Sequence, residues 1–564
     1  MIKLEQIKSF LGFGTKKPGS YYFSSGMHHK DGGIEPGWKI LKQADSSTAG
    51  VLYMGYPQGF TERDQAGTPY IYMNDDVGDT FSVADQSTDW ARVHKPGTTS
   101  HGNGIITDHS GSQRILYIQD EYVGSYDGTV WYDTFMDLGW SLNIKKEADL
   151  YEDWVVIPNG STVALLNITD DSKDYDAFVL PRLFKCIIAK SGKNGVLLGA
   201  NYNNKGVLIL WGKTTDAAWA SRSIAPWIWT DKIRGIAKYN GIWIVSTGRE
   251  YLLTDGYNIL RKYEPPDLTC CQYNFGPELP TGMLVEGDEL FVSSEIGFPN
   301  RQKSGVWILN LITGLWEYCP PHTFNTWTNF YMGALFKSSL GSKYVSYQDG
   351  FISAGQNTIG RIYGAANSSY FIMEVGDKSD KKKRAEGILL NFSYPPMWYK
   401  TYPNPNWKIT AKLYNFTRVL WVYGQAASTS SSAIDIPING LVFGTDGGYN
   451  KAEVGDEITV LEGANAGSIR HIAVIVRAGQ ANEIWTLDRP LNSVIEAGAT
   501  VNVSPFKKVG EKTLTTAQIK DDRVFIPIQT PIIGRKFLLK IVIDPTYIDQ
   551  KPHITGVSFI YDEL

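Results

Sequence analysis

Cysteine is scarce in this sequence: four in 564 residues, at Cys186, the adjacent Cys270 and Cys271, and Cys319. They match no zinc-ligand spacing, and an adjacent pair is a poor disulfide, so reduced thiols and no metal are expected. Long apolar runs are missing too. Nothing approaches the ~18 residues of a membrane span, and "MIKLEQIKSFLGFGTKKPG" lacks the apolar stretch and small-residue cleavage site of a secretory leader. The expectation is folding in a reducing cytoplasm, with no membrane span. Charge of one sign is also absent, since a net charge of -4 offers no global basic face to nucleic acid. Amphipathic helical periodicity is hard to find, which argues against a helical fold.

What is present is glycine and aromatic residue: 56 Gly, 17 Trp and 32 Tyr, with 13% aromatic overall, suit many short strands, tight turns and aromatic wedges between sheets. The segment 233 to 263, "IRGIAKYNGIWIVSTGREYLLTDGYNILRKY", shows the plan most plainly. Four apolar runs are separated by Asn240-Gly241, Thr247-Gly248 and Asp255-Gly256, each a hairpin signal. Similar units follow one another from about Lys39 to Val375, and about seven can be counted. Four short strands repeated at about 40 to 50 residues predict a multi-bladed β-propeller.

Within the first unit, "YIYMNDDVGDTFSVAD" (71 to 86) places Asn74, Asp76, Gly78, Thr80 and Phe81 around one turn. Short acceptors on Asn74 and Asp76 can bond nearby amides, Gly78 can adopt positive φ, and Phe81 can pack beneath. The spacing resembles the Asp box of sialidase-like β-propellers, which marks the turn between the third and fourth strands of a blade. That resemblance implies a structural turn on the rim rather than an active site. The Gly314-x-Trp316 strand likewise resembles the end of a kelch blade.

After about residue 376 the blade spacing stops. "DKSDKKKRAEG" reads as a solvated linker whose Lys381, Lys382, Lys383 and Arg384 are candidates for assembly or DNA contact. Residues 377–431 and 506–564 supply further strand pairs and are expected to form a β-sandwich. Between them the Ser-rich "GQAASTSSSAID" reads as a flexible exit to a small inserted β-domain at 432–505. Its "GDEITVLEGANAGSIRHI" portion resembles a short module of phage virion proteins, with the loop Gly463 to Gly467 and Arg470 at the basic position. Residues 1–38, Gly-rich and polar, read as an extended arm able to order on a neighbour.

Catalytic signatures are thin. No Arg-Ile-Pro precedes the propeller, as the resemblance to sialidases would require, and only Arg63 and Arg92 occur before residue 100. The Asp-rich turns at Asp75, Asp76, Asp127, Asp170, Asp171 and Asp255 have a sufficient role as hairpin ties. His28, His29, His94, His101 and His109 are scattered without metal spacing, so neither metal nor cofactor is expected. Trp219, Trp227 and Trp229 read as inter-blade core, with a glycan-stacking platform as the alternative. Propeller, sandwich and insert together resemble the β-propeller proteins of bacteriophage tails: nozzle, hub or baseplate components. That resemblance implies a non-enzymatic virion subunit, ringed with copies of itself and other tail proteins and passed by DNA. The alternative is a tail protein that binds a host-surface glycan, or a propeller glycosidase.

Overall fold

The computed structural model describes residues 2–7, 23–25, 27–30, 33–45, 54–97, 101–108, 113–139, 145–180, 183–213, 219–220, 227–229, 231–266, 275–294, 304–319, 331–349, 356–363, 369–376, 381–392, 407–415, 422–439, 452–460, 465, 468–514, 523–529, 532–544 and 552–564. Every named regular element is a β-strand, and among the described residues no helix is long and apolar enough to cross a membrane.

Among the described residues, seven antiparallel sheets follow one another along the chain and make the propeller. Blade 1 consists of Pro57–Gln65, Thr68–Asp75, Thr80–Ala84 and Ala91–His94 in that order. Blade 2 begins at Gly102–Thr107, blade 3 at Asp149–Tyr151, blade 4 at Lys185–Gly192, blade 5 at Gly235–Tyr239, blade 6 at Met283–Glu286 and blade 7 at Tyr331–Lys337. The local chemistry of blade 5 explains how the strands reverse. Asn240 and Gly241 hold φ of 51° and 82°, the left-handed pair that a two-residue hairpin needs, and Tyr239 pairs with Ile242 across it.

The propeller core lies between blades rather than within one sheet. Leu116, Ile118 and Val123 of blade 2 pack on Val155, Ile157 and Leu166 of blade 3. Phe60, Ile71 and Phe81 of blade 1 pack on Ala334, Tyr344 and Ile359 of blade 7, which closes the ring. Inner strands such as Ile115–Gln119, Trp154–Asn159 and Thr162–Asn167 are buried on both faces, and that burial supplies most of the favourable free energy, whereas outer strands such as Ile259–Tyr263 are largely exposed.

Blade 7 departs from the expected partition. Its fourth strand is Lys39–Asp45, which pairs with Gln356–Tyr363 in front of blade 1, whereas Ser369–Val375 belongs to the sandwich. A ring closed by a strand from the other end of the unit leaves neither end sheet incomplete, and chain order alone does not show that exchange.

The second compact unit holds the sandwich and the insert. One sandwich sheet runs Met27–Lys30, Gly33–Pro36, Ile554–Glu563, Lys383–Phe392, Arg523–Pro527, with Ile2–Ile7 also on Ile554–Glu563. The other runs Phe23–Ser25, Ser369–Val375, Phe537–Asp544, Trp407–Tyr414, Lys507–Leu514. Met27, Ile34, Phe371, Ile388, Ile409, Ile541 and Phe559 meet in a common core. The expected arm of residues 1–38 thus supplies four strands, because its apolar positions complete that core; residues 8–22 lie outside the described residues.

The insert has a core of its own, including Ile436, Ile458, Trp485 and Val501. Its six-stranded sheet runs Val422–Gln425, Thr500–Ser504, Glu457–Val460, Ile469–Val476, Glu483–Leu487, Asp435–Ile438. A bridge between Ala426 and Ile438 joins the first strand to the last and closes a small barrel. The barrel therefore begins at Val422, not 432. The Ser-rich stretch is part of it rather than a flexible exit: Ser430 is buried, and its Oγ accepts the Ile495 amide at 3.0 Å.

Candidate functional site

The turn from Asp75 to Thr80 joins the second and third strands of blade 1, one turn earlier than the Asp-box resemblance implies. Asp75, not Asp76, ties it. The Asp75 carboxylate is fully buried; Oδ1 accepts the amides of Asp79 (2.8 Å) and Val77 (3.1 Å), and Oδ2 accepts that of Gly55 (2.7 Å). Asp76 Oδ1 takes the Tyr56 amide at 2.6 Å. Two successive carboxylates thus hold the chain just before the first strand of the blade. A Cβ at Gly55 would stand 2.3 Å from Asp76 Oδ1, so a larger residue there would push that carboxylate off the Tyr56 amide. Burial raises the Asp75 carboxyl to about 7, against the lowering by the Gly55 and Asp79 amides.

The other motif residues divide between turn and core. Asn74 does not tie its own turn; its Nδ2 donates to the Gly104 carbonyl of blade 2 at 3.0 Å. Thr80 lies opposite Asn74 in the ladder, Gly78 has φ of 91°, and Phe81 is buried with Phe60 and Trp90. No sequence signal distinguishes Asp75 from Asp76, since either could face inward until the strand's register is known.

Turns between third and fourth strands carry a simpler tie. Asp127 Oδ1 accepts the amides of Thr129 and Val130, Asn167 Oδ1 that of Thr169, Asp255 Oδ1 those of Tyr257 and Asn258, and Asn310 Oδ1 those of Ile312 and Thr313. These amide bonds, with the Thr129 hydroxyl, hold the exposed Asp127 carboxyl down at about 2. The neighbouring blade then grips the same turns. Arg63 Nη2 donates to Asp127 O (3.0 Å), Arg114 Nη1 pairs with Asp171 (2.7 Å), Asn194 Nδ2 donates to Asp255 O (3.0 Å), and Arg261 Nη1 donates to Leu311 O (2.8 Å). At the ring closure, Ser338 Oγ and Tyr344 Oη of blade 7 donate to Asp85 of blade 1 at 2.6 and 2.7 Å.

Aromatic side chains are likewise engaged. Trp131 stacks on His94 at 4.3 Å and on Tyr126 at 4.2 Å; two parallel rings that close to one centroid occupy opposite faces, so no face is left for a sugar. His94 Nε2 lies 2.7 Å from Asp133, and Tyr117 Oη donates to the same carboxylate at 2.7 Å. His101 Nδ1 lies 2.8 Å from Asp120, and His28 Nδ1 2.9 Å from Glu317. Trp219 is half-buried, 4.3 Å from the buried Trp211, with Tyr151 and Trp154 at its edges. Trp227 and Trp229 belong to a short strand on blade 4, and their side chains lie outside the described residues, as do the side chain of His29, His109, Cys270 and Cys271.

The basic run is not a free linker, because its strand lies inside the sandwich. Lys383 is buried and donates to the Arg535 carbonyl at 2.9 Å; Arg384 pairs with Glu386 at 2.5 Å, and Lys381 faces Glu563 at 3.6 Å. Lys382 is exposed. In the barrel, Asn465 donates to the Ser493 carbonyl at 2.9 Å and Arg470 to that of Pro490 at 3.0 Å, while Gly463, Ala464, Ala466 and Gly467 lie outside the described residues. Among the described residues no group of three or more His, Cys, Asp or Glu is placed to hold a metal ion.

No protein-family model and no curated protein matches the chain. Solved structures similar to it include virginiamycin B lyase from Staphylococcus aureus with quinupristin, at 12% identity and a TM-score of 0.40, covering 58% of this chain and 99% of that one. The WD40 domain of Neurospora crassa Pan2 is similar at 9% identity and a TM-score of 0.38, covering 58% and 95%. The extracellular domain of a putative one-component system of B. thetaiotaomicron follows at 10% and 0.38, covering 70% and 56%.

Proposed function

We propose that the chain is a non-enzymatic structural subunit of a bacteriophage tail, a nozzle, hub or baseplate component arranged in a ring with copies of itself. The supporting observation is where the polar side chains go. The carboxylates of the Asp-rich turns accept backbone amides that tie those turns, as Asp75, Asp127 and Asp255 do. A carboxylate so engaged is a poor general acid or nucleophile, since catalysis needs a group free to face a substrate. The combination of propeller, sandwich and inserted barrel, which resembles phage tail components, adds to this reading.

Electron microscopy of the purified protein and of its parent particle tests it. On the order of six or twelve copies around an axis are expected of a cyclic component. A peripheral trimer would favour the glycan-binding alternative. Turnover of a glycan, abolished by a single carboxylate substitution, would overturn the non-enzymatic reading.

A further inference from the structure

The strands Trp407–Tyr414 and Phe537–Asp544 turn Ile409, Ala411 and Leu413, and Leu539, Ile541 and Ile543, into the sandwich core. Alternation then sends Lys412 and Lys540 to the opposite face of the same sheet. The register sets these two lysines directly opposite one another, and they are 2% and 4% exposed. Like charges so placed repel strongly when water is excluded.

The barrel supplies the counter-charge. Glu457, 2% exposed, accepts Lys540 Nζ on Oε1 at 2.6 Å and Lys412 Nζ on Oε2. The Lys540 ammonium also lies 4.1 Å from the centroid of the Tyr370 ring. Beside Glu457 in the barrel sheet stand His471 on one flank and Ser504 on the other. His471 is 8% exposed; its Nδ1 lies 3.4 Å from Asp488 Oδ2, and its Nε2 has no hydrogen-bond partner among the described residues. The further charges acting here are Asp544 on the sandwich side, and Arg470 and Arg489 about Asp488.

We propose that His471 makes the joint between barrel and sandwich acid-labile: a proton on its buried ring adds a third cation beside Lys412 and Lys540, whose shared carboxylate is Glu457, and the barrel loosens. Burial holds the imidazole below its ordinary value and Lys412 adds to that, against the pull of Asp488 and Glu457. The sign follows. A ring whose folded value is depressed contributes stability above the unfolded value of about 6.5, and that contribution disappears as pH falls through the folded value.

The test is hydrogen exchange by mass spectrometry on the full chain, scanned from about pH 8 to about pH 4 and corrected for intrinsic rates, with His471→Gln beside the unaltered protein. Below the ordinary histidine range, peptides covering 457–460 and 407–414 of the unaltered chain should exchange about tenfold faster than those of H471Q. Propeller peptides serve as the reference and should not change. Superimposable profiles for the two proteins, or joint and propeller strands opening together, would overturn the proposal. Lys412→Met gives a second, independent reading: with that cation gone the acid response should shrink, and an undiminished response also overturns it. If H471Q does not fold, exchange at the His471 ring carbon of the unaltered protein still reports its protonation, and a value at or above the ordinary one defeats the proposal.

Discussion

Arg63 in the first strand of blade 1 reaches across to blade 2, donating from Nη2 to the Asp127 carbonyl at 3.0 Å and from Nε to the Gln113 carbonyl at 2.9 Å. Its guanidinium also lies 5.3 Å from the Tyr126 ring centroid. A planar fork satisfies two carbonyls and an aromatic face at once, which a lysine cannot do. Arg63→Ala is expected to cost about 1–3 kcal/mol in stability, and Arg63→Lys to recover less than half of it, read as thermal melting of the full chain. Equal stability of Arg63→Lys and the unaltered protein would show that charge alone suffices there.

Asp75 and Asp76 separate by the amides they hold. Removing Asp75 leaves the half-buried amide of Gly55 and the buried amide of Asp79 without their carboxylate and should cost about 1–3 kcal/mol for the unpaired groups. Asp76→Ala loses one side-chain bond, to Tyr56, and should cost about 1 kcal/mol. Denaturant titration of both variants ranks them, and the reverse order would contradict the assignment of the tie to Asp75.

Residues 1–38 are expected to be required for the sandwich. Met27 and Ile34 are 2% and 0% exposed in its core, and losing such side chains costs about 2–5 kcal/mol each. A chain starting at residue 39 should show a lowered sandwich transition and early proteolysis there. Unchanged melting of the truncated chain would mean that these strands are dispensable.

Glu457 is the counter-ion on which two buried lysines depend. Burial by itself would raise its carboxyl, yet Lys412 and Lys540 hold it down at about 2, so its contribution is full above the ordinary glutamate range and is lost as pH falls toward 2. Glu457→Gln leaves two cations facing each other in a dry site and should cost about 3–5 kcal/mol at neutral pH. Combining it with Lys412→Met should restore part of that loss, measurable as non-additivity in a double-mutant cycle.

Excision of the barrel should leave the sandwich folded when the cut removes 422–505 and fail when it removes only 432–505. The shorter cut strands Val422–Gln425 without its partner Thr500–Ser504. Circular dichroism and solubility of the two deletions decide between them, and equal behaviour would place the boundary elsewhere.

Much of the architecture was determined by local sequence. Asn240-Gly241 specifies its hairpin because few residues other than glycine and asparagine tolerate the left-handed conformation both positions adopt. Repetition of such turns between short apolar runs specified blades, their approximate number, and the change to other strands beyond them. Apolar alternation in "WKITAKLY" likewise marked a strand with one face inward. Tertiary structure alone decided the rest, because each remaining feature depends on which distant strands meet. Lys39–Asp45 completing blade 7, Ile2–Ile7 lying on Ile554–Glu563, and Lys383 being buried rather than solvated all follow from pairings between strands far apart in the chain. The same holds for Asp75 over Asp76, where a one-residue register choice turns one carboxylate inward, and for Glu457, whose two lysines come from strands 45 and 83 residues away.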